Sequence, residues 1–176
     1  LVSSRGLGDV YKRQVHEEYW KEWSVRNNKS NSFSIAKSIV SLIAGIAVDK
    51  GYLSGFNHPV RSVFPKMNFF DSIHDVTIGD LLNMSSGLDW DENYYNPFNI
   101  TARSYMTKDL TSLTTSLSFI SEPGLNYNYQ SGATQLASLM IEKLLMDSSS
   151  ISFSEFSSIY FWEKIGASEE ALWSLD

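Results

Sequence analysis

A serine and a lysine three residues apart, Ser34 and Lys37, are the residues whose types and spacing best suit chemistry in this chain. They stand at the start of an apolar run with helical periodicity. Three residues are close to one helical turn, so the hydroxyl and the amine project from the same face. A serine becomes a good nucleophile when a neighbouring base takes its proton, and a neutral lysine can be that base. The pair therefore fits nucleophilic catalysis by an activated serine.

The same spacing also has a purely structural interpretation. Serine is a preferred helix N-cap, Ser32 could serve equally, and Lys37 would then be a solvated helix residue. On spacing alone the structural interpretation is favoured, because a four-residue pattern with two fixed positions is frequent by chance. A catalytic role for Ser34 and Lys37 needs support from other parts of the chain.

Composition limits the classes of function that the chain could serve. Its 176 residues, 43% of them apolar, are enough for one domain, or a piece of a larger one, with a sizeable core. A net charge of -6 without a basic stripe predicts no nucleic-acid partner and no anionic membrane surface. The absence of cysteine excludes disulfides and thiolate metal sites but leaves the compartment open. The longest apolar run, residues 39–48, is too short to span a bilayer, so no membrane contact is predicted.

The first residues of the chain need separate treatment. Residues 4–14 resemble a translated sequencing-library adapter that ends in a transposon end. We therefore expect residues 1–14 to be non-native, and residues 15–176 to be part of a longer domain whose own start is missing. A genomic locus that encodes residues 4–14 in related reads would refute this expectation.

Periodicity and capping signals predict the elements that must position Ser34 and Lys37. Apolar residues recur at three and four along residues 34–48, which predicts a helix, and Gly51 ends it. Thr77 with Asp80, and Ser152 with Glu155, are capping-box patterns that open two further helices. The complete prediction is a strand over 15–20 and helices over 34–50, 78–84, 110–120, 131–145 and 153–165.

Two other groups of residues suggest chemistry that the sequence disfavours. His16 and Glu17 invite a zinc site, but no second histidine follows four residues after His16, so a solvated strand edge is favoured. Asp91 and Glu92 could suggest acid–base work or a metal. Neighbouring loop residues usually point apart, so a solvated loop is favoured there. No metal and no cofactor are predicted.

Three motifs in order resemble those of the serine β-lactamase and DD-peptidase superfamily. They are Ser-Ile-Ala-Lys at 34–37, similar to the S-x-x-K motif, the loop-and-helix signature at 77–88, and the stretch at 123–132 that is similar to the one presenting the catalytic tyrosine. The likeness extends from about Val15 to the last residue and is greatest to the class C-like branch, which contains esterases and nylon-oligomer (6-aminohexanoate-dimer) hydrolases. It implies an α+β fold in which an antiparallel sheet packs against a mostly helical region. This chain would hold the helical region and the first strand or strands, with the K-T-G type motif and the C-terminal strands beyond Asp176.

The resemblance also implies roles for individual residues. Ser34 would be the nucleophile, Lys37 the general base, and Tyr129 the residue that relays a proton to the leaving group. Tyr127 competes with Tyr129, which is preferred because it directly precedes the turn at 130–132.

Four further residues are candidates for substrate binding. Ser131 stands where many relatives carry an asparagine, so we expect substrate-carbonyl binding to differ there, because a hydroxyl reaches less far and donates once. Trp90, Tyr94 and Tyr95 are candidates to line the substrate cleft, although an ordinary hydrophobic cluster explains them equally well.

These inferences lead to an expected function and one alternative to it. We expect a serine hydrolase that forms an acyl-enzyme with a small ester, short-amide or β-lactam-like substrate. We expect it to be exported to the periplasm or cell envelope of a bacterium. The alternative is a noncatalytic module of the same fold that recognises penicillin or peptidoglycan. We expect the isolated chain to be inactive, because a helical region without its sheet would expose a large apolar face.

Overall fold

The computed structural model describes residues 4–8, 14–19, 28–167 and 169–173. The chain divides between Ala36 and Lys37 into two compact units. The first unit carries an antiparallel hairpin of strands β1 (Ser4–Gly8) and β2 (Gln14–Tyr19). Strand β2 agrees with the strand predicted over 15–20, and the non-native origin of residues 1–14 stays a prediction.

Short and long helices make up most of the described residues. They are α1 (Ile35–Asp49), α2 (Val60–Val63), α3 (Ile78–Leu82), α4 (Ile100–Met106), α5 (Leu110–Thr115), α6 (Ser131–Ser149) and α7 (Phe153–Ser157), followed by a π-helical turn (Ser158–Trp162). Within the described ranges, none of these helices has the length and apolar character needed to cross a membrane.

Helix α1 forms as its periodicity predicts. Its buried positions recur at intervals of three and four and join the hydrophobic core: Val40, Ile43, Ala44 and Ala47. The helix ends before Gly51, whose φ of 79° lies in the left-handed region that glycine adopts without strain. Burial of this stripe anchors the helix that carries Lys37 in its first turn.

Helix α6 is the central element of the second unit. It contacts α2, α3, α5 and α7, and its first turn presents Ser131. Side chains along its length are fully or almost fully buried, among them Leu136, Met140, Ile141 and Leu145. Each such side chain stabilises the fold by about 1.5–3 kcal/mol through apolar burial. The position of Ser131 is therefore fixed by a well-packed helix.

Both predicted capping signals are confirmed at helix starts. The Thr77 hydroxyl accepts a hydrogen bond from the Asp80 amide. In return the Asp80 carboxylate accepts one from the Thr77 amide at 2.9 Å, which completes a capping box on α3. The Ser152 hydroxyl accepts the Glu155 amide at 3.1 Å at the start of α7. These bonds satisfy amides that have no partner inside the helix.

The sequence overestimated two helices. The helix predicted over 110–120 ends at Thr115, because the backbone amides of Phe119 and Ile120 bond to Asn68 and Gly87 instead. Stacking of Phe119 on the Phe69 ring, at 5.2 Å between centroids, accompanies this change. The helix predicted over 153–165 stays α-helical only to Ser157 and continues as the π-helical turn. The mostly helical architecture agrees with the expected helical region of an α+β fold.

Candidate active site

Lys37 lies against the stretch that contains the candidate tyrosine. Its Nζ is 3.0 Å from the Ser131 Oγ and 5.0 Å from the centroid of the Tyr129 ring. Lys37 and Ser131 are 94 residues apart in sequence, so the fold brings together two of the three motifs. The arrangement places an amine beside a phenol and a hydroxyl, groups that can exchange protons.

Ser34 directly precedes α1 and is exposed. Two turn hydrogen bonds shape this start, from the Ile35 amide to the Ser32 carbonyl at 3.1 Å and from the Ala36 amide to the Phe33 carbonyl at 3.2 Å. Phe33 has a φ of 47°, a left-handed conformation that costs about 1–3 kcal/mol for a residue with a side chain. Ser34 thus follows a sharp, strained turn, a kind of backbone feature that often accompanies functional sites.

The second motif, residues 77–88, holds the tyrosine stretch in place. The amides of Gly124 and Asn128 donate to the carbonyls of Ser85 and Met84 at 2.8 and 2.7 Å. The Gln130 side chain, only 2% exposed, donates to the Leu88 carbonyl at 2.7 Å. The role of the second motif is therefore to position the third.

Glu92 is the acceptor around which the polar groups of the site converge. Its Oε1 accepts the Ser131 hydroxyl at 2.6 Å and the Tyr94 hydroxyl at 2.5 Å. Its Oε2 accepts the Ser131 amide at 2.7 Å and the Trp90 indole N–H at 2.6 Å. Because the Ser131 amide opens α6, the carboxylate also lies at the positive end of that helix. Lys37, Ser131, Glu92 and Tyr94 therefore form one hydrogen-bonded chain.

These contacts shift the pKa of both Glu92 and Tyr94. Partial burial raises the pKa of Glu92, but hydrogen bonds from the backbone and side chain of Ser131, from Tyr94 and from Trp90 outweigh it and leave the pKa lowered. The hydrogen bond to Glu92 is the main cause that raises the pKa of Tyr94 to about 12. At neutral pH, Glu92 is therefore an acceptor only, and Tyr94 is a donor to it.

The solvated-loop interpretation of residues 91 and 92 is wrong for Glu92. Two of its four donors belong to Ser131 at the start of α6, whereas Asp91 stays exposed and accepts a hydrogen bond from the Asn93 amide. The one sequence signal for Glu92 is its spacing of two residues from both Trp90 and Tyr94, the two loop residues that donate to it. In the part of the chain that the structure describes, no cluster of three or more acidic or histidine side chains could hold a metal ion.

The three aromatic candidates lie in different environments. Trp90 is 5% exposed and belongs to the core, with its indole N–H on Glu92. Tyr94 is 60% exposed although its hydroxyl is held by Glu92, and Tyr95 is 96% exposed. Tyr94 and Tyr95 are thus available to a ligand. Trp90 instead packs in the core and holds the loop through its bond to Glu92.

We expect Glu92 to make the stability of the folded protein depend on pH in the acid range. A carboxylate whose pKa is lower in the folded state stabilises that state above its ordinary pKa of 4.5, and this stabilisation is lost as pH falls through the lowered value. We expect the melting temperature of the full-length protein to fall more steeply below about pH 4.5 than that of Glu92→Gln. Thermal unfolding from pH 7 to pH 3 measures the difference. Equal slopes for the two proteins would contradict an ionised, hydrogen-bonded Glu92.

Comparison with known proteins identifies the family of the chain. A profile of the Beta-lactamase family matches residues 7–169. A solved structure from Bacillus anthracis, which carries the provisional name 6-aminohexanoate-dimer hydrolase, is similar with a TM-score of 0.67 at 16% identity over 88% of this chain. The chain spans 42% of the length of that structure. No curated protein matches it significantly by sequence. The family match over most of the chain, and the likeness in fold, show that the chain belongs to the β-lactamase family.

Proposed function

We propose that this chain is the helical part of a serine hydrolase that acts through an acyl-enzyme on a small ester or amide. The observation that carries the proposal is the 3.0 Å contact of the Lys37 amine with Ser131, beside the Tyr129 ring. A lysine that was only a solvated helix residue would extend into solvent, whereas Lys37 contacts this stretch. Ser34 directly precedes α1, and Lys37 follows three residues later in the first turn of the helix. This spacing of about one helical turn is why we pair Lys37 with Ser34.

Acylation would begin with attack of the Ser34 Oγ on the substrate carbonyl carbon. Lys37, in its neutral form, takes the hydroxyl proton as the new C–O bond forms. The bond between the carbonyl carbon and the leaving group then breaks. The proton held by Lys37 passes through Tyr129 to the departing alkoxide oxygen or amine nitrogen, so both residues return to their starting state. The substrate acyl group is left as an ester on Ser34.

Deacylation would return the serine by the reverse sequence. A water molecule gives one proton to the Tyr129–Lys37 pair and adds to the ester carbonyl carbon, and the C–O bond to Ser34 breaks. The Ser34 oxygen regains a proton and the acid product leaves. Backbone amides that stabilise the developing oxyanion contribute on the order of 2.7–4 kcal/mol each, and the amide of Ser34 is one candidate donor.

The substrate is proposed from the surface around the site. Tyr94 and Tyr95 expose aromatic area on the loop after Trp90, which suits a small, partly apolar substrate rather than a polymer. The name of the similar Bacillus anthracis structure makes a short linear amide a reasonable first amide to test. We propose that the protein is exported to the periplasm or cell envelope of a bacterium.

A turnover experiment tests the proposal. The full-length gene product is mixed with p-nitrophenyl acetate, a short linear amide and a β-lactam, and both product release and protein mass are followed. We expect product in excess over enzyme with at least one substrate. A stable adduct without turnover would support the noncatalytic recognition module instead. Neither adduct nor turnover with all three would overturn every function based on Ser34.

A further inference from the structure

The Ser131 hydroxyl has only one proton, and its polar neighbours are Lys37, Glu92 and the Tyr94 hydroxyl. Its Oγ is 3.0 Å from the Lys37 Nζ and 2.6 Å from the Glu92 Oε1. A hydroxyl can donate one hydrogen bond and accept two. The direction of its proton therefore decides whether Ser131 donates to Lys37 or accepts from it.

Glu92 settles this direction. Both of its oxygens are occupied by donors, and a carboxylate offers about four lone-pair sites. The Trp90 indole and the Ser131 amide are N–H groups that cannot accept, so Oε2 is bound only by donors. An ionised Glu92 can only accept, so the Ser131 proton points to Oε1. Ser131 must then receive a hydrogen bond from Lys37.

We propose that Glu92 is a positioning residue that makes Ser131 an acceptor for the Lys37 amine, so that the Ser131 proton does not compete for the lone pair of that amine. A neutral amine has one lone pair, and this lone pair is the base that acylation needs. If the Ser131 hydroxyl donated to it, the base would be occupied by a competing proton. This inference rests on the proposed function, since it assigns a device for the same lysine.

The same geometry limits what Ser131 can do for a substrate. Its single proton is committed to Glu92, so Ser131 is not a donor to a substrate carbonyl. An asparagine at this position would keep an N–H group for that purpose. Carbonyl binding in this site must come from other donors, which sharpens the expectation that it differs from that of relatives with asparagine.

The test is a double-mutant cycle on the acylation rate. In Glu92→Gln, the amide N–H can donate to the Ser131 Oγ, which turns the hydroxyl proton towards Lys37. We expect the acylation rate constant with p-nitrophenyl acetate to fall on the order of 10- to 100-fold, with KM nearly unchanged. Ser131→Ala removes the competing proton together with the acceptor, so its loss is expected to be smaller.

The double variant separates positioning from a structural role. Glu92→Gln with Ser131→Ala should be faster than Glu92→Gln alone and within about twofold of Ser131→Ala. Independent structural contributions would instead multiply the two losses, and that result would overturn the proposal. If Glu92→Gln alone does not fold, a double variant that folds and acylates like Ser131→Ala supports the proposal, and one that is much slower overturns it.

Two controls make the result specific. Glu142 is a partly buried carboxylate of α6 that accepts the Phe153 amide at the start of α7, and Glu142→Gln is expected to leave acylation unchanged. Ser34→Ala must abolish acylation. Acylation that survives in Ser34→Ala means that the proposed function fails, whereas loss in Ser34→Ala with a normal Glu92→Gln rate means that only the role of Glu92 fails.

Discussion

Lys37→Met is expected to slow acylation of the full-length protein by p-nitrophenyl acetate by about 10²- to 10⁴-fold, the usual contribution of a general base. Methionine keeps most of the length and the apolar stem of lysine but removes the amine that contacts Ser131 and the Tyr129 ring. The rate of p-nitrophenolate release in the first turnover measures the effect. The melting temperature of the variant shows whether the fold is retained.

Two further lysine variants give this prediction its controls. Lys37→Arg keeps the positive charge but supplies no neutral base, since arginine stays protonated, and we expect it to be as slow as Lys37→Met. Lys50→Met removes a matched lysine that lies 5.7 Å from the centroid of the Tyr160 ring and pairs with Asp49, and its rate should be unchanged. A near-normal rate in Lys37→Arg would show that Lys37 supplies only charge or packing.

Gly132→Ala is expected to lower the free energy of unfolding by about 1–3 kcal/mol, the usual cost of overpacking a core. A Cβ at this position would lie 2.2 Å from Cε3 and 2.6 Å from Cδ2 of the Trp90 indole. Trp90 is buried and bonded to Glu92, so the ring cannot yield without disturbing the site. Acylation should therefore slow in the same variant. Chemical denaturation and the acylation rate measure the two effects.

A second glycine variant tests whether the cause is the contact with Trp90. Gly45 lies inside α1 with no atom within 4 Å of an added Cβ. Gly45→Ala should raise the free energy of unfolding by up to about 1 kcal/mol, because alanine favours helix more than glycine does. If Gly132→Ala were as stable as Gly45→Ala, close packing of α6 on Trp90 would not be what holds the site.

The parts of the fold that follow local rules could be predicted from sequence. The stripe on α1, the capping box at Thr77, the N-cap at Ser152 and the glycine stop at Gly51 each depend on residues close in sequence, and each is confirmed. The extent of the helix after Leu110 depends on distant partners of Phe119 and Ile120, so periodicity alone overestimated it. The start of α3 and the end of α1 at Gly51 are thus fixed by local signals, whereas the end of α5 is decided by what bonds to the residues after it.

The candidate site shows the same division. The sequence motifs predict Lys37 and the tyrosine stretch as parts of the site, and the fold brings these two together. The importance of Glu92 could not be weighed from sequence, because it arises from donors 39 residues away on α6. The π-helical turn after α7 had no sequence signal that we can identify.

The most direct test of the serine hydrolase proposal is the position of the acyl group after reaction with p-nitrophenyl acetate. Trypsin releases the peptide Ser30–Lys37, which contains three serines: Ser30, Ser32 and Ser34. Tandem mass spectrometry of acid-quenched full-length protein distinguishes them. Our account predicts the acetyl group on Ser34, at a level that falls sharply in Lys37→Met, where the corresponding tryptic peptide is Ser30–Lys50. Acetylation confined to Ser32, to Ser131 or to lysine amines, with Ser34 unmodified, would contradict it.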